Sequence, residues 1–151
     1  MKKSFRGRLA DGALERIRLS TNNGLTGYQI VKFELMGHNP GDTSSGSYEH
    51  VVQIFTTENI DTGVARTASG TVDFTDPTLL AAGLCFANTS PQFNDETSVI
   101  FDNTKFNQDI FITHVNEDTA TDVNYYLELE QVKLSENEAT VATLKDMRAS
   151  E

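Results

Sequence analysis

Three histidines are the residues of this 151-residue chain best suited to metal or proton chemistry. His38, His50 and His114 are scattered, and no two of them stand two or four positions apart, the spacings that place two ligands on one face of a strand or helix. His114 is followed by carboxylates in the run 114–118, an arrangement that would suit a metal or pH-sensing role. We interpret His114 instead as the end of a strand beside a solvated loop. The histidines therefore predict no metal site.

Two glutamates and the single cysteine are the next candidates for chemistry. Glu128 and Glu130 stand two apart on one face of a predicted strand and could imitate the paired carboxylates of a general acid and base. Tyr126 and Asn124 share that face, a mixture more typical of a subunit contact. Cys85 lies in an apolar run, where a thiol is buried and unreactive. We therefore predict no catalytic residue, no cofactor and no enzymatic activity.

The loop at residues 116–122 contains oxygen ligands of the kind that calcium accepts. Its acidic residues do not follow the Asp-x-Asp-x-Asp-Gly spacing of a calcium-binding loop. The sequence predicts no metal ion at this loop.

The distribution of charge limits the kind of partner. The chain has 12 basic and 22 acidic residues, a net charge of −10, which argues against nucleic acid because phosphates are neutralised by clustered Lys and Arg. The first twenty positions contain only Asp11 and Glu15 as acids, against six basic residues: Lys2, Lys3, Arg6, Arg8, Arg16 and Arg18. We interpret residues 1–12 as a basic N-terminal arm that docks on an acidic neighbour. A solvated terminus without a partner is the alternative.

No segment predicts a secretory signal or a membrane span. Residues 1–10 lack an apolar core, and no run approaches the roughly 20 apolar residues that a span needs. A single cysteine excludes an intramolecular disulfide, so packing and assembly must stabilise the fold. We expect synthesis and assembly in a cytoplasm and no membrane partner.

Alternating apolar and polar residues predict strands along most of the chain. The pattern is clearest at residues 28–36, where Val31, Phe33 and Leu35 share one face. Further strands are predicted at residues 14–20, 48–57, 69–74, 98–101, 109–115 and 123–134. In the last of these the apolar parity changes, which predicts a bulge near residues 130–131.

Two segments leave a helix and a strand as alternatives. At residues 76–83, Asp-Pro followed by a glycine favours a helical turn leading into a buried strand at 84–87, and a buried strand from Leu79 onward is the alternative. Residues 135–138 fit a capping box that would open a helix. The β-branched residues that follow instead favour a terminal strand over residues 139–148, which is the reading we prefer.

Roughly eight short strands, with turns about every ten residues, predict an all-β fold. We expect an antiparallel β-sandwich of the jelly-roll type with at most one or two short helical turns. Residues 13–151 would form this single domain behind the arm at residues 1–12, since a chain of this length supports one core.

With the strands placed, several segments resemble small virion structural proteins of marine tailed phages. They are GYQIVKF (27–33), YEHVVQI (48–54), VIFDN (99–103), FNQDIFITH (106–114), NYYLELE (124–130) and ATLKDMR (142–148). The resemblance covers most of the chain in matching order, but no single segment is a mechanistic signature. It implies a component of the virion and carries over no catalytic residue.

The resemblance and the basic arm together lead us to expect a bacteriophage capsid decoration, or cement, protein. It would be a homo-oligomer, in our reading a trimer, that binds the major capsid protein or neighbouring virion proteins. The residues predicted to contact the partner are Lys2, Lys3, Arg6, Arg8, Tyr126 and Glu128. The alternative is a tail- or fibre-associated component whose loops at residues 37–47 and 88–97 contact a host receptor. A jelly-roll enzyme or carbohydrate-binding module is the third possibility.

Overall fold

The computed structural model describes residues 1–19, 24–38, 40, 47–61, 64–89, 92–101, 104–117 and 121–150. Within these residues the chain forms ten strands and one helix. The strands are Lys2–Leu9 (β1), Leu14–Ile17 (β2), Thr26–Gly37 (β3), Tyr48–Phe55 (β4), Asn59–Asp61 (β5), Val64–Ala65 (β6), Leu79–Thr89 (β7), Gln92–Ile100 (β8), Ile110–Asn116 (β9) and Val123–Lys133 (β10), and the helix is Glu136–Ser150 (α1).

The strands form a two-layer antiparallel sandwich, as the sequence predicts. One layer is a three-stranded sheet of order β1-β10-β3, and the other is a five-stranded sheet of order β2-β9-β4-β7-β8, while β5 and β6 make a separate hairpin. Strands β1 to β4 alternate between the two layers. Two later strands insert between these, β10 between β1 and β3 in one sheet and β9 between β2 and β4 in the other. This interleaving is like that of a jelly-roll sandwich, although β8 lies beside β7 in the five-stranded sheet and the other sheet has only three strands.

Strict alternation along β10 explains why the three-stranded sheet has one dry and one wet face. The odd-numbered side chains from Val123 to Leu129 are buried, while the even-numbered ones are half-exposed. The bulge predicted in β10 near residues 130–131 is wrong, because β10 pairs with β1 without a register shift. The irregularity lies on β3 instead, where Glu128 pairs with Lys32 but Leu129 pairs with Ile30. Val31, expected on the same face as Phe33 and Leu35, is instead the extra residue, and it allows Ile30 and Phe33 on either side of it to face the core.

The core lies between the two sheets. Leu127 and Leu129 of β10 and Ile54, Ile110 and Ile112 of the opposite sheet are fully buried there. The layers approach closely at Gly83 of β7, where a methyl group would lie 2.8 Å from Leu35 Cδ1 and 3.0 Å from Phe33 Cε2. Glycine at this position therefore lets the two sheets touch.

The connection between β6 and β7 covers part of the outer side of the five-stranded sheet. Arg66 stacks on the Phe55 ring, with its guanidinium carbon 3.5 Å from the ring centroid. The same guanidinium donates to the carbonyl oxygens of Thr57 and Asn59 and to the hydroxyl of Thr78. Burial lowers the pKa of Arg66, and the nearby carboxylate of Asp76 opposes that shift. This buried arginine holds the connection against the sheet.

At residues 76–83 the structure confirms the alternative, a buried strand from Leu79 onward. Strand β7 starts at Leu79, so the expected helical turn is wrong. Asp76 does not cap a helix: its carboxylate accepts hydrogen bonds from the backbone N–H and the hydroxyl of Thr78, which closes a short turn before the strand.

The C-terminal segment is helical, so the preferred terminal strand over residues 139–148 is wrong. Ser135 and Glu138 form the capping box, with Glu138 N–H donating to Ser135 Oγ at 3.2 Å and Ser135 N–H donating to Glu138 Oε1 at 3.4 Å. Asn107 Nδ2 then donates to Ala139 O and Thr143 Oγ1, which fixes the helix to the sandwich. At 15 residues the helix is also longer than the one or two turns expected.

The N-terminal arm predicted at residues 1–12 is part of the sandwich. Lys2–Leu9 forms β1, which pairs with β10 over its full length, and Leu9 is fully buried. The boundary expected after residue 12 therefore does not separate an arm from a domain. Alternation explains the difference, because Phe5 and Leu9 are apolar at positions that face the core while the basic residues between them face outward.

Candidate functional site

The outward side of the three-stranded sheet brings together most of the residues predicted to contact a partner. We call this surface the outer face. It consists of Lys2, Ser4, Arg6 and Arg8 on β1, Asn124, Tyr126, Glu128 and Glu130 on β10, and Lys32, Glu34 and Met36 on β3. Five of the six predicted contact residues lie here, and Lys3 is the exception.

Register places the residues of β1 directly beside the tyrosine and carboxylates of β10 on the outer face. Lys2 stands opposite Glu130, Ser4 opposite Glu128 and Arg6 opposite Tyr126. Directly opposed side chains on neighbouring strands are close enough to interact. The face is thus organised in stripes, with a basic edge strand beside a central strand of tyrosine and carboxylates.

The centre of the outer face is a hydrogen-bonded group. The Tyr126 hydroxyl donates to Glu128 Oε1 at 2.7 Å, and this hydrogen bond raises the pKa of Tyr126. Lys32 Nζ lies 5.9 Å from the centroid of the Tyr126 ring and 3.5 Å from Glu34 Oε1. Glu128 therefore belongs to a polar network with Tyr126, whereas Glu130 stands opposite Lys2 at the end of the strand.

The basic residues of β1 are only partly neutralised. Arg8 pairs with Asp122 at 3.1 Å and also lies 3.4 Å from His38 Nε2. Lys2 and Arg6 make no ion pair with any part of the chain that the structure describes. Their charges remain available to a partner.

Lys3 does not belong to the contact surface that the sequence predicted. It has the inward parity of β1, donates to the Tyr28 hydroxyl at 3.2 Å and lies 5.4 Å from the centroid of that ring. Counting basic residues could not separate it from Lys2, but the alternation of β1 does, since only even-numbered positions face outward. Lys3 anchors the edge strand.

An open groove of about 790 Å³ crosses the end of the outer face near Arg6 and Tyr126. Its other walls include Glu34, Met36 and Glu96. Leu35 also lines it, and Met36 is 60% exposed, so the groove combines apolar side chains with charges of both signs. Such a surface suits recognition of a polypeptide, which offers charged, polar and apolar contacts together.

A second notable group lies in the core, where His50 and His114 form a hydrogen-bonded pair. The two side chains are 1% and 0% exposed. His114 Nδ1 is 2.9 Å from the carbonyl oxygen of Ala10, which can only accept, so this nitrogen carries the proton. In a neutral ring His114 Nε2 is then an acceptor, and His50 Nδ1, 2.9 Å away, donates to it. That leaves His50 Nε2 as a buried acceptor with no partner among the described residues.

Burial sets the protonation of this pair. Desolvation, reinforced by the neighbouring His114, lowers the pKa of His50 to about 4, against the opposing charges of Asp11 and Asp122. Desolvation also lowers the pKa of His114. Both rings are therefore neutral at neutral pH, and a proton added at His50 Nε2 would have no acceptor in the described surroundings.

The solvated strand-end position expected for His114 is wrong, and the sequence carried a signal that could have corrected it. His114 shares the parity of Ile110 and Ile112, and His50 shares that of Val52 and Ile54, so both histidines belong to the inward face of their strands. Strand β4 pairs with β9 in a register that sets Val52 opposite His114. The pairing itself needs this long-range register, which sequence alone does not give.

Cys85 is buried, as expected from its apolar run. Burial raises the pKa of its thiol, and Tyr48 lies within hydrogen-bonding reach of it. Among the described residues there is no group of three or more His, Cys, Asp or Glu side chains placed to hold a metal ion. The loop considered for calcium falls partly outside the described residues, which omit positions 118–120, and so does most of the loop at 37–47.

No helix in the described ranges is long and apolar enough to cross a membrane. The chain matches no family model, and comparison with curated proteins and with solved structures likewise found no significant match.

Proposed function

We propose that the protein is a structural subunit of a virus particle, a capsid decoration protein that docks through the outer face of its three-stranded sheet. The observation that carries this proposal is the concentration of unneutralised basic charge on one exposed strand of an acidic protein. Residues 1–20 have a net charge of +4, while the rest of the chain has a net charge of −14. The structure arranges the most N-terminal of these charges in register along β1, beside Tyr126 and Glu128.

The fold supports a docking role because the surface is built on paired strands. The backbone of paired strands is already ordered, so it loses little conformational freedom on binding, which favours affinity. The resemblance of the sequence to small virion proteins of marine tailed phages supplies the identity of the particle. Major capsid protein, or a neighbouring virion protein, is then the partner.

An oligomer would strengthen attachment without a high affinity for each subunit. Several copies held together bind a repetitive surface with an avidity that exceeds the single contact. The trimer expected from the sequence fits a symmetric shell, and sedimentation of the purified protein measures it directly.

The test is the copy number and position of the chain in purified virions. A decoration protein is expected in hundreds of copies spread over the shell, as counted by quantitative mass spectrometry and located by cryo-electron microscopy. A few dozen copies at a single vertex would overturn the decoration role in favour of the tail-associated component. Absence from purified particles would overturn a virion role altogether.

A matched pair of variants tests the surface. Changing both Lys2 and Arg6 to glutamate reverses two exposed charges, and attachment to particles lacking the protein is expected to fall at least about tenfold. Reversing Lys133, which is exposed at the far end of β10, is the control and should leave attachment unchanged. Equal attachment by both variants would remove the outer face from the proposal.

A further inference from the structure

The two edges of the three-stranded sheet differ in whether their backbone N–H and C=O groups are covered. This difference determines where a partner strand can bind. Met1 O accepts a hydrogen bond from Gln131 N–H, which identifies the odd-numbered residues of β1 as those that exchange backbone hydrogen bonds with β10. The even-numbered residues Lys2, Ser4, Arg6 and Arg8 therefore point their N–H and C=O groups away from the sheet, along its open edge.

The opposite edge, along β3, is covered. Leu35 N–H donates to Glu96 Oε1 at 2.9 Å, and the Ser98 hydroxyl donates to Phe33 O at 3.3 Å. Gly37 in turn makes a backbone hydrogen bond to the Cys85 thiol. Side chains of the second sheet thus occupy backbone groups that β3 would otherwise offer to another strand.

The edge along β1 has no such cover in the described chain. None of the backbone groups of Lys2, Ser4, Arg6 or Arg8 has a partner among the loop, turn and side-chain hydrogen bonds of the described residues. The strand is eight residues long, which is ample for pairing with an added strand. It is the longer of the two edges built by the N-terminal segment, since β2 has only four residues.

Charge decides what can occupy this edge. All the charged residues of β1 are basic: Lys2, Lys3, Arg6 and Arg8. Basic side chains on an edge strand oppose pairing with another copy of the same strand, because like charges would lie directly across from one another. The same side chains favour a strand that carries Asp or Glu at every second position, facing the same way as Lys2 and Arg6.

We propose that β1 is a strand-addition site that binds an extended acidic segment of a partner protein. The segment continues the three-stranded sheet as a fourth strand, hydrogen-bonded to the backbone of Lys2, Ser4, Arg6 and Arg8, with its carboxylates against Lys2 and Arg6. Backbone hydrogen bonds supply the affinity and the alternating charge supplies the selectivity. That the partner is a virion protein rests on the proposed function, but the binding mode does not.

A short blocked peptide in which glutamate alternates with threonine is the probe, and amide exchange observed by nuclear magnetic resonance is the measurement. Binding should slow the exchange of the Ser4, Arg6 and Arg8 amides, while Phe5 and Gly7, already bonded to β10, change little. A peptide of the same charge with two prolines, and one with lysine for glutamate, should each bind at least about tenfold more weakly. Equal binding of the proline peptide would show attraction by charge alone and overturn strand addition.

Ser4→Pro tests the edge from the side of the protein. It removes one outward N–H and leaves the hydrogen bonds to β10 in place, a position at which an edge strand tolerates proline. Peptide binding should fall about tenfold or more, and Ser4→Ala, which keeps the N–H, should bind like the native chain. Unchanged binding by a folded Ser4→Pro protein would overturn the proposal. If Ser4→Pro does not fold, the variant with glutamate at Lys2 and Arg6 replaces it and must prefer the lysine peptide.

Sedimentation at increasing concentration and attachment to particles separate the remaining outcomes. Self-association that Ser4→Pro abolishes would show that a second copy occupies the edge, which overturns the heterologous partner. A native chain that binds the peptide but not particles contradicts the proposed function and leaves the strand-addition site standing. A Ser4→Pro protein that attaches to particles as the native chain does contradicts the site and leaves the proposed function standing.

Discussion

The buried histidine pair makes the stability of the sandwich depend on pH in a defined window. His50 titrates with a pKa of about 4 in the folded protein, against 6.5 for an ordinary histidine, because its ring is removed from water. The unfolded chain therefore binds a proton more readily than the folded one. Stabilisation from this residue is complete above pH 6.5 and is lost as the pH falls from 6.5 toward 4.

The magnitude follows from the size of the shift. One pKa unit corresponds to about 1.4 kcal/mol. The lowered pKa of His50 therefore reduces the free energy of unfolding, relative to its value at neutral pH, by about 2 kcal/mol at pH 5 and about 3 kcal/mol at pH 4. His114, whose pKa is also lowered, adds to the loss in the same direction. A domain with a total stability of roughly 5–15 kcal/mol should show this clearly.

Urea unfolding followed by circular dichroism at a series of pH values between 5 and 7.5 measures the slope. The double variant with glutamine at His50 and His114 should lose most of the pH dependence in this range, because neither position can then titrate. His38→Gln is the control, since this histidine is exposed and outside the pair, and it should keep the native slope. A double variant with the native slope, or a native protein equally stable at pH 5 and 7.5, would refute the reasoning.

Two further substitutions test the packing. Gly83→Val should lower the unfolding free energy by about 1–3 kcal/mol, because its side chain must displace Leu35 and Phe33 from the opposite sheet. Thr97→Val, on an exposed strand position, is its control, and an equal effect of the two in urea unfolding would contradict the close approach. Arg66→Met should cost about 2–4 kcal/mol, since it removes the donor to several part-buried oxygens and the cation that lies 3.8 Å from Asp76. Arg66→Lys, which restores charge but not the planar fork, should fall between Arg66→Met and the native protein, and a Met variant as stable as the native chain would contradict the buried role.

Much of the architecture was predictable because alternation is a local property. The parity of residues 123–129 in the sequence already separates core side chains from outward ones, and the structure follows it. Residues 110–114 are instead buried on both faces of their strand. The two-layer antiparallel fold comes from the number of such segments and the turns between them. The parity change near the end of β10 suggested a bulge in that strand, but the extra residue is on β3, a detail that depends on how the two strands pair.

Where prediction failed, a contact distant in sequence decided the outcome. Residues 139–148 have β-branched side chains that suit a strand, but the capping box at Ser135 and the hydrogen bonds from Asn107 favour the helix. Residues 1–12 looked like a separate arm because basic residues dominate the segment. Two apolar side chains, Phe5 and Leu9, attach it to the core, and two are too few to stand out as a strand pattern. The candidate contact residues were chosen by residue type alone. The alternation of β1, which turns Lys3 inward, was needed to exclude Lys3 from them.

The contrast between the covered β3 edge and the open β1 edge limits how an assembly can grow. Once a partner strand has been added beside β1, that strand forms one edge of the widened sheet. The other edge, β3, is covered by Glu96 and Ser98. Elongation into a fibril through this sheet requires two accessible sides, and only one exists. Each sandwich can accept a single guest strand here, so recruitment through this sheet saturates at a ratio of one to one.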